Sequence, residues 1–332
     1  MPDQEKASII EQLTLRKLEY IRKYLESKGL AKSGTRLAIR DRLTELMEAD
    51  DSVLDDLKGL LSELDAWGDQ RLRLGKFDLR DLKAFSSKTM VQQQIKRAGM
   101  SSLLEGEIAI EPPDTLTPMA IRHIDDGQQR MLQLYAAKSR KVEIADPSIP
   151  PKTDKRYPGI IFKPYRQEIQ KAVDFAEINL MNGDALFSTT LLKSGTAYRA
   201  EFNELYEVFQ PLIQLQTASS LALYKAIKAI PTLPQKEILM PGRDKRTSSG
   251  GKIAHRSSSI KSDLRLDSDI VLSDLATAQL DSVFCNCYWF PTTTLLETVH
   301  TSVYAPEAEI SVMGQVREAS VRHVLRRILQ IN

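Results

Sequence analysis

The first hydrophobic pattern along the chain predicts an amphipathic helix near the N-terminus. Its apolar residues recur three or four positions apart and would form one stripe: Leu15, Leu18, Ile21 and Leu25. Gly29 follows this stripe, at the place where a helix commonly ends on a residue with positive φ. The pattern therefore predicts that this helix ends just before Gly29.

A second short helix is predicted after a polar loop. Ser33 or Thr35 can cap its N-terminus, because a side-chain oxygen accepts a hydrogen bond from a free N–H group of the first turn. The apolar side of this helix has the following members: Leu37 or Ile39, then Leu43 and Leu46. Together the two helices form a predicted N-terminal module, residues 1–47.

Residues 48–69 predict an acidic helical connector. Ser52 precedes leucines at helical spacing, and the stretch holds eight acidic residues against Lys58 alone. A surface of this charge repels DNA. We therefore expect the connector to pack on the central domain, or to shield the basic module when DNA is absent.

Residues 70–240 alternate between helical and strand patterns and form a predicted central domain. Residues 78–98 and 197–229 have helical periodicity. Asp126-Gly127 and Asn182-Gly183 each lie between two strand-like runs, which is the position of a hairpin turn. The alternation predicts an α+β fold whose strands are mainly antiparallel.

The last third of the chain begins with residues 241–262, which predict a flexible linker or an exposed loop. The segment is rich in Ser and Gly, and six basic residues minus Asp244 give it a charge of +5. It can be an arm that lies along phosphates or only a solvated linker. Residues 263–332 predict a strand-rich unit closed by an amphipathic helix, with Cys285 and Cys287 on one face of a strand.

Positive charge is concentrated in the N-terminal module. Residues 16–42 contain nine basic and three acidic residues, so nine minus three gives +6, whereas the whole chain has a net charge of +2. A local excess of this size favours a polyanionic partner such as nucleic acid.

At these residues the sequence resembles the SAP motif, a small helix–extended–helix DNA-binding module. The resemblance covers residues 14–47 and is carried by these positions: Leu15, Leu18, Leu25, Gly29-Leu30, Ser33-Gly34, Arg36, Ile39 and Arg42-Leu43. Thr35 departs from the pattern, since many members have a second lysine there, and this change would weaken phosphate binding. The remaining residues resemble no family that we recognise.

The resemblance implies a module that binds double-stranded DNA, often in AT-rich tracts, and that tethers the rest of the chain. Backbone N–H groups at the start of the second helix would hold a phosphate. The residues expected at this interface are Arg16, Lys23, Lys32, Gly34, Thr35, Arg36 and Arg40. Such contacts position a protein without reading bases, so binding would depend on salt and little on sequence. The alternative is a helical hairpin with solvated charges and pairs such as Glu19–Lys23.

Basic clusters in the body predict a secondary nucleic-acid contact. Its candidate residues are Lys138, Arg140, Lys141, Arg243, Lys245, Arg246, Lys252 and Arg256. Lys152, Lys155 and Arg156 extend the first of these clusters. Solvated loops are again the alternative.

No local motif of an active site is visible in the sequence. The chain lacks a P-loop and a Gly-x-Ser-x-Gly elbow, and its four histidines are dispersed. Two cysteines cannot complete a structural zinc site by themselves. We expect no catalytic residue, metal or cofactor, while a site assembled from distant segments stays open.

The sequence favours a non-enzymatic DNA-binding protein that tethers an α+β body to duplex DNA. Suitable settings are chromatin or nucleoid organisation, repair, recombination and defence against foreign DNA. Two alternatives stay open: a divergent nuclease or other nucleic-acid-processing enzyme, and a protein-interaction subunit of a larger complex. Besides DNA, a protein partner or a second copy of the chain is expected.

The compartment is also an expectation from sequence. No apolar run approaches the length of about 18 residues that a membrane-spanning helix needs. The polar N-terminus shows no secretory or transit signal. We therefore expect an intracellular protein, in the cytoplasm and nucleoid or in the nucleus, without membrane association.

Overall fold

The computed structural model describes most of the chain. The described residues are 2–15, 18–50, 52–109, 111–145, 149–150, 152–153, 156, 161–162, 164–192, 198–247, 251–257, 259, 261–270 and 280–332. Within them the fold is α+β, with a helical N-terminal part followed by a body built on an eleven-stranded antiparallel sheet. This confirms the predicted fold class.

Four helices form the N-terminal part: α1 Pro2–Leu15, α2 Leu18–Ser27, α3 Arg36–Ala49 and α4 Ser52–Trp67. Their apolar sides share one hydrophobic core, which includes Ile9, Leu25, Leu43 and Leu57. The predicted connector, now α4, is therefore part of the same helical unit. Leu15 ends α1, so the first predicted helix begins later than its apolar spacing suggested.

The ends of α2 and α3 follow from local sequence. Gly29 has φ 74°, and the N–H of Leu30 donates to the carbonyl of Leu25 at 2.9 Å, the hydrogen bond that closes a helix ending in a left-handed residue. Thr35 caps α3 by accepting from the N–H of Ala38 at 3.3 Å. Of the two apolar alternatives at the start of α3, Ile39 is buried and Leu37 is 68% exposed.

The body contains thirteen described strands: β1 Gln70–Lys76, β2 Thr117–Asp125, β3 Arg130–Ala145, β4 Lys152–Thr153, β5 Ile161–Phe162, β6 Tyr165–Asn179, β7 Asp184–Thr190, β8 Ser219–Ser220, β9 Ile238–Arg246, β10 Lys252–Arg256, β11 Asp281–Trp289, β12 Val299–Tyr304 and β13 Glu309–Met313. Its described α-helices are α5 Lys88–Arg97, α6 Tyr198–Phe209, α7 Tyr224–Ala229 and α8 Glu318–Gln330. Short 3-10 turns occur at Lys83–Phe85, Ser101–Leu103, Leu215–Thr217, Ile230–Thr232 and Leu264–Leu266.

The main sheet has the order β10-β9-β11-β12-β13-β1-β7-β6-β3-β2, with β8 paired to β1. One hydrophobic cluster runs along one face, from α4 through α7 and α8 to β9 and β11. A second cluster covers the opposite face only over β2, β3, β6 and β7, where α5 and α6 pack. The two faces of the sheet are thus covered to different extents.

Both predicted hairpins are present. Asp126-Gly127 connects β2 to β3, and Asn182-Gly183 connects β6 to β7, with Gly183 at φ 82°. The Cβ that a larger residue would add at Gly183 lies 2.5 Å from the carbonyl oxygen of Phe77. A glycine is therefore required there by both conformation and space.

Three predictions about segments are wrong. Residues 241–262 are not mainly a linker, because β9 and β10 form an antiparallel hairpin in the main sheet. The helix predicted over 197–229 breaks after Phe209, since Pro211 lacks the N–H that would continue it. The helix predicted over 78–98 is confined to α5, which begins after the Ser87 cap.

The last 70 residues do not form a separate sheet. β13 pairs with β1, and β11 pairs with β9, so the predicted central and C-terminal units share one continuous sheet. The strands and the final helix predicted in this part are present, and Cys285 and Cys287 are buried on the same side.

Polar contacts attach the helical unit to the body. Lys171 of β6 forms a buried ion pair with Asp65 of α4 at 2.6 Å, and Arg317 pairs with Glu63 at 2.6 Å. α4 runs into β1 within three residues, so the unit is not on a long linker. None of the helices that the structure describes has the length and apolar character needed to span a membrane.

Candidate nucleic-acid interface

The candidate interface is built by α2, α3 and the extended segment 28–35 between them. Two arginines on the helices hold the backbone of this segment. Arg42 donates to the carbonyls of Ala31, at 2.7 Å, and of Ser33, while Arg22 donates to the carbonyl of Gly34 at 3.4 Å. The extended segment therefore has a defined course across the ends of both helices.

Position 34 favours glycine both because of its backbone conformation and because of a close neighbour. Its φ of 129° lies in the region that favours glycine, and an added Cβ would lie 3.2 Å from the Cβ of Ala38. Gly34 thus lets the chain turn directly into the Thr35 cap of α3.

The N-terminus of α3 presents free hydrogen-bond donors. Thr35 accepts from the N–H of Ala38 with its hydroxyl and from the N–H of Ile39 with its carbonyl, at 3.3 and 3.1 Å. No described residue accepts from the N–H groups of Arg36 and Leu37. These two amides, together with the helix dipole, favour an anion at this point.

Arg36 and Arg40 lie one turn apart on α3, and both are exposed. Within the described residues neither forms an ion pair, and Arg36 donates to the carbonyl of Thr14 at the end of α1. A carbonyl leaves the charge of a guanidinium uncompensated. These two positive charges are therefore available to an external anion.

The other predicted lysines are already in surface ion pairs. Lys23 pairs with Glu19 at 3.2 Å, and Lys32 pairs with Glu26. All four side chains are at least half exposed, so such pairs are worth only about 0–1 kcal/mol each and exchange readily. Arg16 lies outside the described residues.

The acidic helix α4 contacts the module at its edge. Asp56 pairs with Lys28 at 2.9 Å and accepts from the hydroxyl of Tyr24 at 3.2 Å. Burial, followed by the nearby Asp56 carboxylate, raises the pKa of Tyr24 to about 12. The described acidic side chains of α4 form no ion pair with Arg36 or Arg40.

The three predicted nucleic-acid-binding residues on β3 lie on two different faces of the sheet. Lys138 is buried and pairs with Glu201, at 3.0 Å, and with Glu204, while Arg140 pairs with Glu201 at 2.5 Å. Lys141 is exposed, but strand alternation points it to the opposite face. The structure therefore does not bring these three cations to one surface.

The predicted cations of β9 and β10 are also separated. Arg243 and Lys245 are buried, whereas Arg246 at the end of β9 is exposed. Lys252 and Arg256 both pair with the buried carboxylate of Asp244. Of the extensions to the first cluster, Lys152 and Arg156 are exposed, and Lys155 lies outside the described residues.

The described residues contain no group of three His, Cys, Asp or Glu side chains placed to hold a metal ion. Cys285 and Cys287 are free and buried, with their sulfur atoms 3.0 Å apart. Burial raises the pKa of the Cys287 thiol, so it stays protonated and is a poor nucleophile.

Sequence reasoning missed two functional features of the helical unit. The charge pattern includes Arg22 and Arg42, and Arg42 is also one of the SAP-like positions, but neither signal predicts that both side chains hold the backbone of the extended segment. The hydroxyl of Tyr20 lies within hydrogen-bond distance of two acceptors, the Glu297 carboxylate and, at 2.8 Å, the carbonyl of Gln315, and joins α2 to the body. The only local signal was Tyr20 itself, a polar-ended residue beside the apolar stripe.

Sequence comparisons add no relative from which an activity could be carried over. No protein-family model matches the chain, and no curated protein is similar to it in sequence.

Proposed function

We propose that the helical unit binds duplex DNA at the N-terminus of α3 and tethers the α+β body to it with little sequence selectivity. The observation that carries this proposal is the pair Arg36 and Arg40. They are exposed, one helical turn apart, without a described carboxylate partner, and beside two free backbone amides.

The chemistry suits a phosphate backbone. A phosphate at the start of α3 would accept from the amides of Arg36 and Leu37, and the Thr35 hydroxyl keeps a proton that it can donate. Arg40 would then reach a neighbouring phosphate. Contacts of this type fix position and orientation but carry no base sequence directly.

The surface lysines support the same reading. Because the Lys23–Glu19 and Lys32–Glu26 pairs are weak, both ammonium groups can turn to phosphates at small cost. Their contribution is electrostatic and would decrease as salt screens it.

The attachment of the unit to the body supports a tethering role. Tyr20, Glu63 and Asp65 all bond to residues of the body, so DNA bound at α3 would hold the body in a defined orientation. Chromatin or nucleoid organisation, repair, recombination and defence against foreign DNA are settings in which such a tether is useful. A protein partner or a second copy could bind the tethered body.

The test is duplex binding by the full chain and by an Arg36→Glu plus Arg40→Glu variant. We expect the charge reversal to weaken binding of a labelled duplex in an electrophoretic mobility or fluorescence anisotropy assay. A matched control reverses two exposed lysines of α7, Lys225→Glu plus Lys228→Glu, and so changes the net charge equally. Equal affinity of the two variants would show that duplex DNA does not bind at α3.

A further inference from the structure

Among the residues that the structure describes, no hydrophobic cluster packs on one part of the main sheet, on the face opposite the cluster of α7 and α8. We call it the open face; its partly exposed side chains are Phe284, Asn286 and Tyr288 of β11 with His300 and Tyr304 of β12, and the buried Ser302 lies between the last two. Strand alternation explains it, because the intervening Cys285, Cys287 and Val303 are buried on the covered face. The second hydrophobic cluster, described above, contains no residue of β9 to β13.

Two aromatic pairs occupy the open face. Tyr288 and His300 lie directly opposite each other and stack, with ring centroids 4.1 Å apart and planes at 8°. Phe284 and Tyr304 form the second pair, with centroids 5.0 Å apart. All four rings are partly exposed, but the Arg71 guanidinium lies 3.8 Å from the centroid of the Tyr304 ring and covers one face of it. At about 3.3 Å per residue, the two pairs are separated by about 13 Å along the strands.

A hydrogen-bonding side chain lies between the aromatic pairs. The Nε2 atom of His300 and the Oδ1 atom of Asn286 are 2.6 Å apart, which holds both side chains in place. Because Oδ1 can only accept, Nε2–H of His300 is the donor, and burial lowers the pKa of His300, which favours the neutral ring. The amide N–H₂ of Asn286 has no acceptor among the described residues and can donate to a ligand.

Positive charge borders the open face. Lys252 and Arg256 on the edge strand β10 are 60% and 48% exposed, and they share one buried carboxylate, Asp244, which leaves a charge of +1 (two minus one). The Arg256 guanidinium lies 5.0 Å from the centroid of the Phe284 ring. Arg246, also exposed, ends the neighbouring strand β9.

We propose that the open face binds single-stranded nucleic acid, with a base stacked on the Tyr288–His300 pair and phosphates along the cations of β10. Exposed aromatic rings on a sheet with nearby cations match the stacking and charge that single strands offer. Duplex DNA is a poorer ligand here because its bases are already stacked on one another. This site is separate from α3 and does not depend on the proposed duplex tether.

The main experiment measures binding of a fluorescein-labelled oligo(dT) by anisotropy. Its length of about 30 nucleotides exceeds known single-strand sites of about 4–16 nucleotides. Loss of one stacked base costs about 1–3 kcal/mol, so Tyr288→Ala should weaken binding about 5-fold to 150-fold. Tyr288→Phe keeps the ring and should bind within about twofold of the unaltered protein, as should the control Tyr224→Ala on α7.

Two further measurements distinguish this site from the helical unit and from a folding defect. The Arg36→Glu plus Arg40→Glu variant should keep oligo(dT) binding even where it loses duplex binding. Ultraviolet cross-linking of the unaltered protein to bromodeoxyuridine-substituted oligo(dT) should label peptides within residues 281–304. The proposal is overturned by unchanged affinity of a folded Tyr288→Ala variant, by loss of oligo(dT) binding on reversal at α3, or by cross-links only elsewhere.

Discussion

The salt dependence of duplex binding gives the sharpest prediction for the proposed interface. We would replace Arg36 and Arg40 by glutamine, which removes two charges and keeps a polar side chain at each position. Four described cations are expected at phosphates: Lys23, Lys32, Arg36 and Arg40. Arg22 and Arg42 are left out because their guanidinium groups hold the extended segment between α2 and α3 in place.

The magnitude follows from counterion release. Each phosphate contact contributes about −0.9 to the slope of log affinity against log salt, so four contacts give about −3.6 and two give about −1.8. A fourfold rise from about 50 to about 200 mM KCl should then weaken duplex binding about 150-fold in the unaltered protein and about 12-fold in the double variant.

The assay is fluorescence anisotropy of a labelled duplex titrated at several KCl concentrations. Circular dichroism melting would verify that the variant keeps its fold. The matched control, Lys225→Gln plus Lys228→Gln on α7, should keep the slope of the unaltered protein. If the Arg36 and Arg40 variant has that slope as well, these arginines contact no phosphate and the reasoning fails.

Three further predictions concern stability. Gly34→Ala should cost about 1–3 kcal/mol in urea denaturation, because φ of 129° is strained for alanine and Ala38 lies in contact; an unchanged midpoint would contradict this. Tyr20→Phe should cost about 1–3 kcal/mol by thermal melting, because it removes one described hydrogen-bond donor of the buried Glu297 carboxylate, which keeps the N–H of Arg317; an equal melting temperature would refute the anchor. Burial raises the pKa of Asp174 to about 7. Between about pH 4 and 7 the folded chain therefore holds a proton that the unfolded chain has lost. The contribution of Asp174 to the free energy of unfolding falls as pH rises through this range, by about 4 kcal/mol in total. Asp174→Asn should therefore raise the denaturation midpoint at about pH 8 and flatten its pH dependence, and an unaltered pH profile would count against the buried acid.

The sequence determined the features that depend on a few neighbouring residues. Gly29 predicted the end of α2, and the alternatives Ser33 and Thr35 predicted the start of α3, where Thr35 is the cap. Asn182-Gly183 predicted a hairpin, because positive φ and side-chain caps act within one turn. Apolar spacing predicted the final helix α8 and, with the hairpins, the α+β class.

Tertiary structure decided which charged and aromatic side chains are available. Lys138 is neutralised by Glu204, 66 positions away, and Tyr20 reaches Glu297, 277 positions away, so no local pattern could indicate either contact. Residues 241–262 contain few apolar residues, which suggested a linker. In the structure this segment includes an edge hairpin, and its charged side chains pair across the two strands, as Lys252 does with Asp244. Whether a residue is buried, paired or open depends on partners distant in sequence, and only the folded sheet brings those partners together.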